Sequence, residues 1–256
     1  MMTQPSHTPR APMDPPTTRT GRTAMGLAVE RALDGWYPFE SGSLTSAANA
    51  EALFGRYPTY ADTLRWLDEE ITQPDERIGR HGARCPRVRP ALRADTLWLV
   101  TIRTRTAQVA EAVEKGSRLA GLFTELVGAP SEAGDGCLLA LFPDVERDEA
   151  AQFIDGGHAV LRMRFVAAGM MLGEFHPLST VGAVRNPMLP VMRSPWPMYV
   201  VRALTPHDLM FLDQPRTPPE ERLQYFEHYC RHLYGRLNAE QRRRLAAAIK
   251  TAEAAR

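Results

Sequence analysis

Gly169-Met-Met-Leu-Gly-Glu-Phe-His-Pro177 decides how this chain is read. It closes a long helical segment, passes through a run with strand character and ends on a histidine followed by proline. After a proline-rich loop, strand character returns at Pro197-Met-Tyr-Val-Val-Arg-Ala203. Upstream, residues 146–168 carry Ile154, Leu161 and Phe165 in helical register. Gly156-Gly157 in the middle weakens that helix by roughly 1 kcal/mol per glycine and marks a point of breakage. Cys137-Leu-Leu-Ala-Leu-Phe142 is a strand stopped by Pro143. Residues 107–127 form a helix with Val109, Val113, Leu119, Leu122, Phe123 and Leu126 on one stripe, and Gly128 follows as its C-cap. Thr96-Leu-Trp-Leu-Val-Thr101 is an apolar run of the kind covered on both faces. The order is strand, helix, strand, helix, strand, loop, strand. It predicts an α/β (α+β) fold: a mixed four-stranded sheet with two long packing helices and some parallel pairing, flanked by N- and C-terminal helices.

Outside this core the chain changes character. Residues 1–22 are Pro, Thr, Ser and Arg with few apolar side chains, and they cannot offset the entropy of ordering. Residues 24–35 read as a short helix ending at Gly35, residues 36–46 as a linker, and residues 45–54 as a further helical turn. Residues 60–71 form an amphipathic helix with Thr59 as N-cap. Residues 74–94 are a Pro- and Arg-rich loop, long for a passive connection. A helix spans residues 219–234, and Asn238 caps a last charged helix. The expected division is a tail (1–22), an N-terminal helical extension and linker (23–58), an α/β core (59–213) and a C-terminal helical extension (214–256).

The bulk composition excludes several classes. With 31 Lys+Arg against 30 Asp+Glu the net charge is +1, which gives no global field for nucleic acid or an anionic membrane. The basic residues are almost all arginine, only Lys115 and Lys250 being lysine. Cys85, Cys137 and Cys230 are far apart and form no Cys-x-x-Cys, so neither a disulfide framework nor a structural zinc site is expected. No apolar run approaches the ~20 residues that cross a bilayer, and the N-terminus lacks a signal-peptide h-region. A cytoplasmic protein is expected, with a small-molecule substrate, no nucleic-acid or membrane partner, and homodimerisation as its possible assembly. Dinucleotide, P-loop and serine-hydrolase motifs are missing from the sequence.

Chemically able side chains gather after residue 173. His176, beside Glu174, sits where a strand ends, the place where open α/β sheets put their sites. It is a general base, a metal ligand or an axial haem ligand, or it hydrogen-bonds its own loop. Arg193 is placed to hold a substrate carboxylate bidentately or to brace the loop, with Asn186 and Ser194 beside it. Cys85, between Arg84 and Arg87, is a thiol that nearby positive charge would favour as thiolate, or a small residue that begins a turn. His158 falls on the apolar stripe of its helix and reads as core or half-core. His228 and His232 have i, i+4 spacing but no intervening Glu of a zinc-helix pattern.

Several runs resemble an actinobacterial family known chiefly as a domain of unknown function, often encoded near specialised-metabolism genes. They are Gly-Arg-His-Gly-Ala-Arg-Cys-Pro-Arg-Val (79–88), Asp-Thr-Leu-Trp-Leu (95–99), Leu-Phe-Pro-Asp (141–144), Met-Leu-Gly-Glu-Phe-His-Pro (171–177), Asn-Pro…Arg-Ser-Pro (186–195) and Asp-Leu-Met-Phe-Leu (208–212). The resemblance covers residues 60–212. Pro-Arg after Cys85 departs from the family's Cys-Pro-Phe. More remotely, a Cys-Pro loop before β-α-β looks like the haem-dependent amine and guanidine N-oxygenases. That likeness implies a haem cofactor with His176 or Cys85 as iron ligand, and Arg193 and Glu174 orienting an amino acid. The expected function is a small-molecule biosynthetic enzyme, an oxidoreductase of the haem mono-oxygenase type. The alternative is a non-catalytic ligand-binding or protein-interaction domain.

Overall fold

The computed structural model describes residues 39, 40 and 42–256. The expected tail at 1–22, the helix at 24–35 and most of the 36–46 linker lie outside the described residues. Seven strands and eight α-helices are described: β1 (Thr45–Ser46), α1 (Pro58–Trp66), α2 (Val88–Arg93), β2 (Leu97–Thr101), α3 (Val109–Gly116), α4 (Leu119–Val127), β3 (Cys137–Leu141), α5 (Gly156–Ala167), β4 (Met170–Phe175), β5 (Gly182–Ala183), β6 (Asn186–Pro190), β7 (Met198–Ala203), α6 (Leu209–Leu212), α7 (Pro219–Leu233) and α8 (Ala239–Ala254).

The main sheet has the order β1-β2-β3-β7-β4. β2 and β3 run parallel, and β7 pairs antiparallel with both β3 and β4. A parallel pair cannot be closed by a hairpin, and α3 and α4 supply the crossover from β2 to β3. α5 carries the chain from β3 to β4, leaving a place between them that β7 later fills. The C-terminal ends of β2, β3 and β4 therefore lie along one edge. The sheet has one strand more than expected. Thr45 and Ser46 pair with Leu99 and Trp98 on the outer side of β2, and residues 47–53 form a 3-10 helix. The loop after β4 folds on itself as a β5–β6 hairpin.

Side chains alternate across a strand, so each face has its own cover. Trp98, Val100, Leu138, Ala140, Leu172, Tyr199 and Val201 form one core with α3, α4 and α5. Leu97, Leu99, Leu139, Leu141 and Met198 form a second with Tyr60, Trp66 and Ile71, and with Val88 and Ala91 of α2. A third core sits at the far end, where Met171, Val166 and Leu204 meet Tyr225, Phe226 and Tyr229 of α7 and Leu245 of α8. α7 opens with Pro219 at its first position, and Asn238 and Gln241 form a reciprocal capping box on α8.

Three helices depart from their expected bounds. The stripe over 107–127 is broken into α3 and α4 around Ser117 and Arg118. α1 starts with Pro58 as its first residue and Tyr57 as N-cap, not Thr59, and continues as a π-helical turn over Leu67–Ile71. A second π turn, Ala151–Asp155, precedes α5, just before the glycine pair. Among the described residues no helix is long and apolar enough to cross a membrane.

Candidate functional site

The site is built at the end of β4. Strand alternation puts Leu172, Glu174 and His176 on the side of α5, and Phe175 on the side of α1. His176 is 1% exposed. Its Nε2 lies 3.2 Å from Asp155 Oδ2. Asp155 is the last residue of the π turn, whose wider ring shifts the side chains that follow out of α-helical register. Such turns recur at functional sites. The Asp155 side chain is 43% exposed, so the pair reaches the surface on the carboxylate side. Asp155 Oδ1 and His176 Nδ1 are both buried and have no hydrogen-bond partner among the described residues.

A second pair lies beside the first. His158 Nε2 is 3.0 Å from the Leu172 carbonyl and 3.3 Å from Glu174 Oε2. Burial lowers the His158 pKa, against the opposing pull of the Glu174 carboxylate. The ring is therefore a neutral donor through Nε2–H, shared between a carbonyl of the sheet's outer strand and a carboxylate. Tyr199 completes the cluster. Its hydroxyl donates to the Ile154 carbonyl at 3.0 Å and the Phe153 carbonyl at 3.3 Å, tying β7 to the π turn. Burial, with the Asp155 and Glu174 charges nearby, raises its pKa and keeps it a phenol. Gly157 is required here: a Cβ at this position would sit 2.2 Å from the Tyr199 hydroxyl and 2.7 Å from Ala112 Cβ.

The other expected site residues are spent on the loops. Arg193 Nε donates to the Ser179 carbonyl, Asn186 Nδ2 to the Arg77 carbonyl, and Ser194 Oγ to the Trp196 carbonyl. Arg193 and Ser179 stay close to His176, whose carbonyl accepts from Ser179 N–H. The arginine-rich loop is largely matched. Asp75 takes Arg77 and Arg84, Glu70 takes Arg84 as well, and Asp135 takes Arg87. His232 Nε2 is 2.8 Å from the Ala167 carbonyl at the end of α5, and no metal-holding cluster of His, Cys, Asp or Glu occurs among the described residues.

Cys85 is elsewhere. Its N–H bonds the Ile71 carbonyl, and its side chain packs on the second core with Cys137, across the sheet from His176. The two are therefore not alternative ligands of one iron. The described residues do not fit haem at His176 either. The ring is 1% exposed, its Nε2 is turned to Asp155, and the pair opens to the surface only at the carboxylate, which leaves no broad face for a flat macrocycle to lie on.

Sequence reasoning missed Asp155 and Tyr199 and read His158 as half-core. The available signal was Asp155 one turn before His158, with two glycines between them.

The chain matches the family described as a domain of unknown function (DUF6875) over residues 60–244 and belongs to that family. No curated protein and no solved structure matches it.

Proposed function

We propose that the chain is a small-molecule biosynthetic enzyme that moves a proton at His176, held by Asp155, with Glu174 and His158 as a second acid–base pair. Its substrate class is an amino acid or amine. The observation that carries this is the pair of unmatched acceptors. With Nε2–H turned to Asp155 Oδ2, His176 offers the lone pair of Nδ1, and Asp155 offers Oδ1. Donor groups, preferably positively charged, satisfy them, one on the far side of the ring at Nδ1 and another on the carboxylate at Oδ1. An activity in cytoplasmic specialised metabolism is in keeping with the sequence resemblance. Haem-dependent N-oxygenation is set aside, because a haem needs a broad open face beside His176 where a single amine does not. A Soret band lost in His176→Ala would restore it.

The test is thermal unfolding of the full chain with a panel of amino acids and primary amines, followed by turnover assays on any that bind. A ligand at 100 times its Kd stabilises by about 2.7 kcal/mol, roughly 5–10 °C for a chain of this size. At least one amine should do so in the wild type and fail in Asp155→Asn. If no amine stabilises, or if Asp155→Asn responds equally, the assignment is wrong. Stabilisation without turnover leaves the second reading, a ligand-binding domain.

A further inference from the structure

The β5–β6 hairpin leaves the sheet at His176 and returns to it there. His176 N–H bonds the Met192 carbonyl at 3.3 Å, and Ser179 N–H bonds the His176 carbonyl at 3.2 Å. Arg193 Nε draws the two ends together through the Ser179 carbonyl at 3.1 Å. Residues 177–193 therefore form a loop with both feet on the candidate base.

Within itself the hairpin is tight. Val181 N–H bonds Ser179 Oγ, and Val191 N–H bonds the Val181 carbonyl. A Cβ at Gly182 would sit 2.1 Å from the Pro187 carbonyl oxygen. Its hold on the rest of the molecule is light. Among the described residues, none of 177–193 belongs to the three hydrophobic cores, although Val181, Val184, Met188, Leu189, Val191 and Met192 are apolar. Met188 is 90% exposed. The far end is tied to the turn at 76–79 by two exposed bonds, Asn186 Nδ2 to the Arg77 carbonyl at 2.8 Å and Arg185 Nη1 to the Gly79 carbonyl at 3.1 Å. Segments with few buried apolar contacts and exposed hydrogen bonds open at low cost, and the lids of enzymes are such segments.

We propose that residues 177–193 are a lid that moves as one piece, hinged at His176 and latched to the 76–79 turn by Asn186 and Arg185, and that its opening uncovers the His176 ring. The lid rests on the reading of His176 as the group that moves a proton. A ring 1% exposed, with Nδ1 bare, can serve a ligand only if the chain around it moves.

Carbethoxylation by diethyl pyrocarbonate, followed histidine by histidine in the full chain by peptide mass spectrometry, reads the opening without any amine. His81, its side chain 98% exposed, sets the rate of an open ring. His228, half-buried on α7, reports loosening elsewhere. Wild-type His176 should react far more slowly than His81. With Arg185→Ala and Asn186→Ala combined it should react about fivefold faster, the effect of losing two hydrogen bonds at the weak end of their range, while His228 keeps its rate. A wild-type His176 as fast as His81, a latch variant that reacts like wild type, or one in which His228 accelerates equally overturns the proposal. A responsive latch beside a failed amine panel would support the lid and remove the proton-transfer reading.

Discussion

Tyr199→Phe removes one oxygen and keeps the ring, so its effect isolates the bond that ties β7 to the π turn. The ring still packs against Phe142, 5.4 Å away. The Phe153 carbonyl keeps the Gly156 N–H, so the main loss is the hydrogen bond to the Ile154 carbonyl. A buried intramolecular hydrogen bond contributes about 0.5–1.5 kcal/mol. For a chain of this length each kcal/mol lowers Tm by roughly 2–4 °C. Equilibrium urea unfolding followed by circular dichroism should show a lower midpoint at an unchanged slope. Asp155 immediately follows the freed carbonyl, so stabilisation by an amine ligand should fall as well. A loss below about 0.5 kcal/mol, the range of an ordinary surface change, would refute the view that Tyr199 holds the site's π turn in place.

The folded His158 pKa is below its unfolded value of about 6.5. Its contribution to stability is therefore complete above that pH and lost as pH falls through the folded value. His158→Gln should flatten this part of the stability–pH curve, and an unchanged curve would count against the buried neutral ring. The cysteines should react in order of access. Cys85 is half-buried, whereas burial pushes the Cys137 thiol up to about 12. Iodoacetamide followed by peptide mass spectrometry should find Cys85 modified and Cys137 intact in the folded chain. The reverse order would contradict the packing of β3.

The four long strands were legible because each is a compact apolar run, and their bounds moved by no more than a residue. β1 was not, since two residues ending in Ser46 gain strand geometry only from pairing with β2. The β5–β6 hairpin was hidden by Pro187 and Pro190, which argue against strands. The placement of β7 between β3 and β4 is a tertiary choice that no local pattern encodes. The same holds for the site. His176 was visible from its position after a strand, but its partner Asp155 lay inside a presumed helix where only a π turn could aim it at β4. Gly156-Gly157 looked like a weakness, yet Gly157 is what lets Tyr199 reach the π turn. Cys85 and His176 each looked reactive in isolation. The alternation of β4, which sends Phe175 to one face and His176 to the other, separates them.

The central claim is that Asp155 holds His176 as an Nε2–H tautomer with Nδ1 bare for a donor nitrogen. Histidine-selective nitrogen-15 spectra of the full chain, with His176→Gln for assignment, test it directly. The expected result is a His176 ring protonated at Nε2, whose Nδ1 resonance moves when a stabilising amine is added. A ring protonated at Nδ1, or an Nδ1 resonance indifferent to every amine that binds, would contradict it.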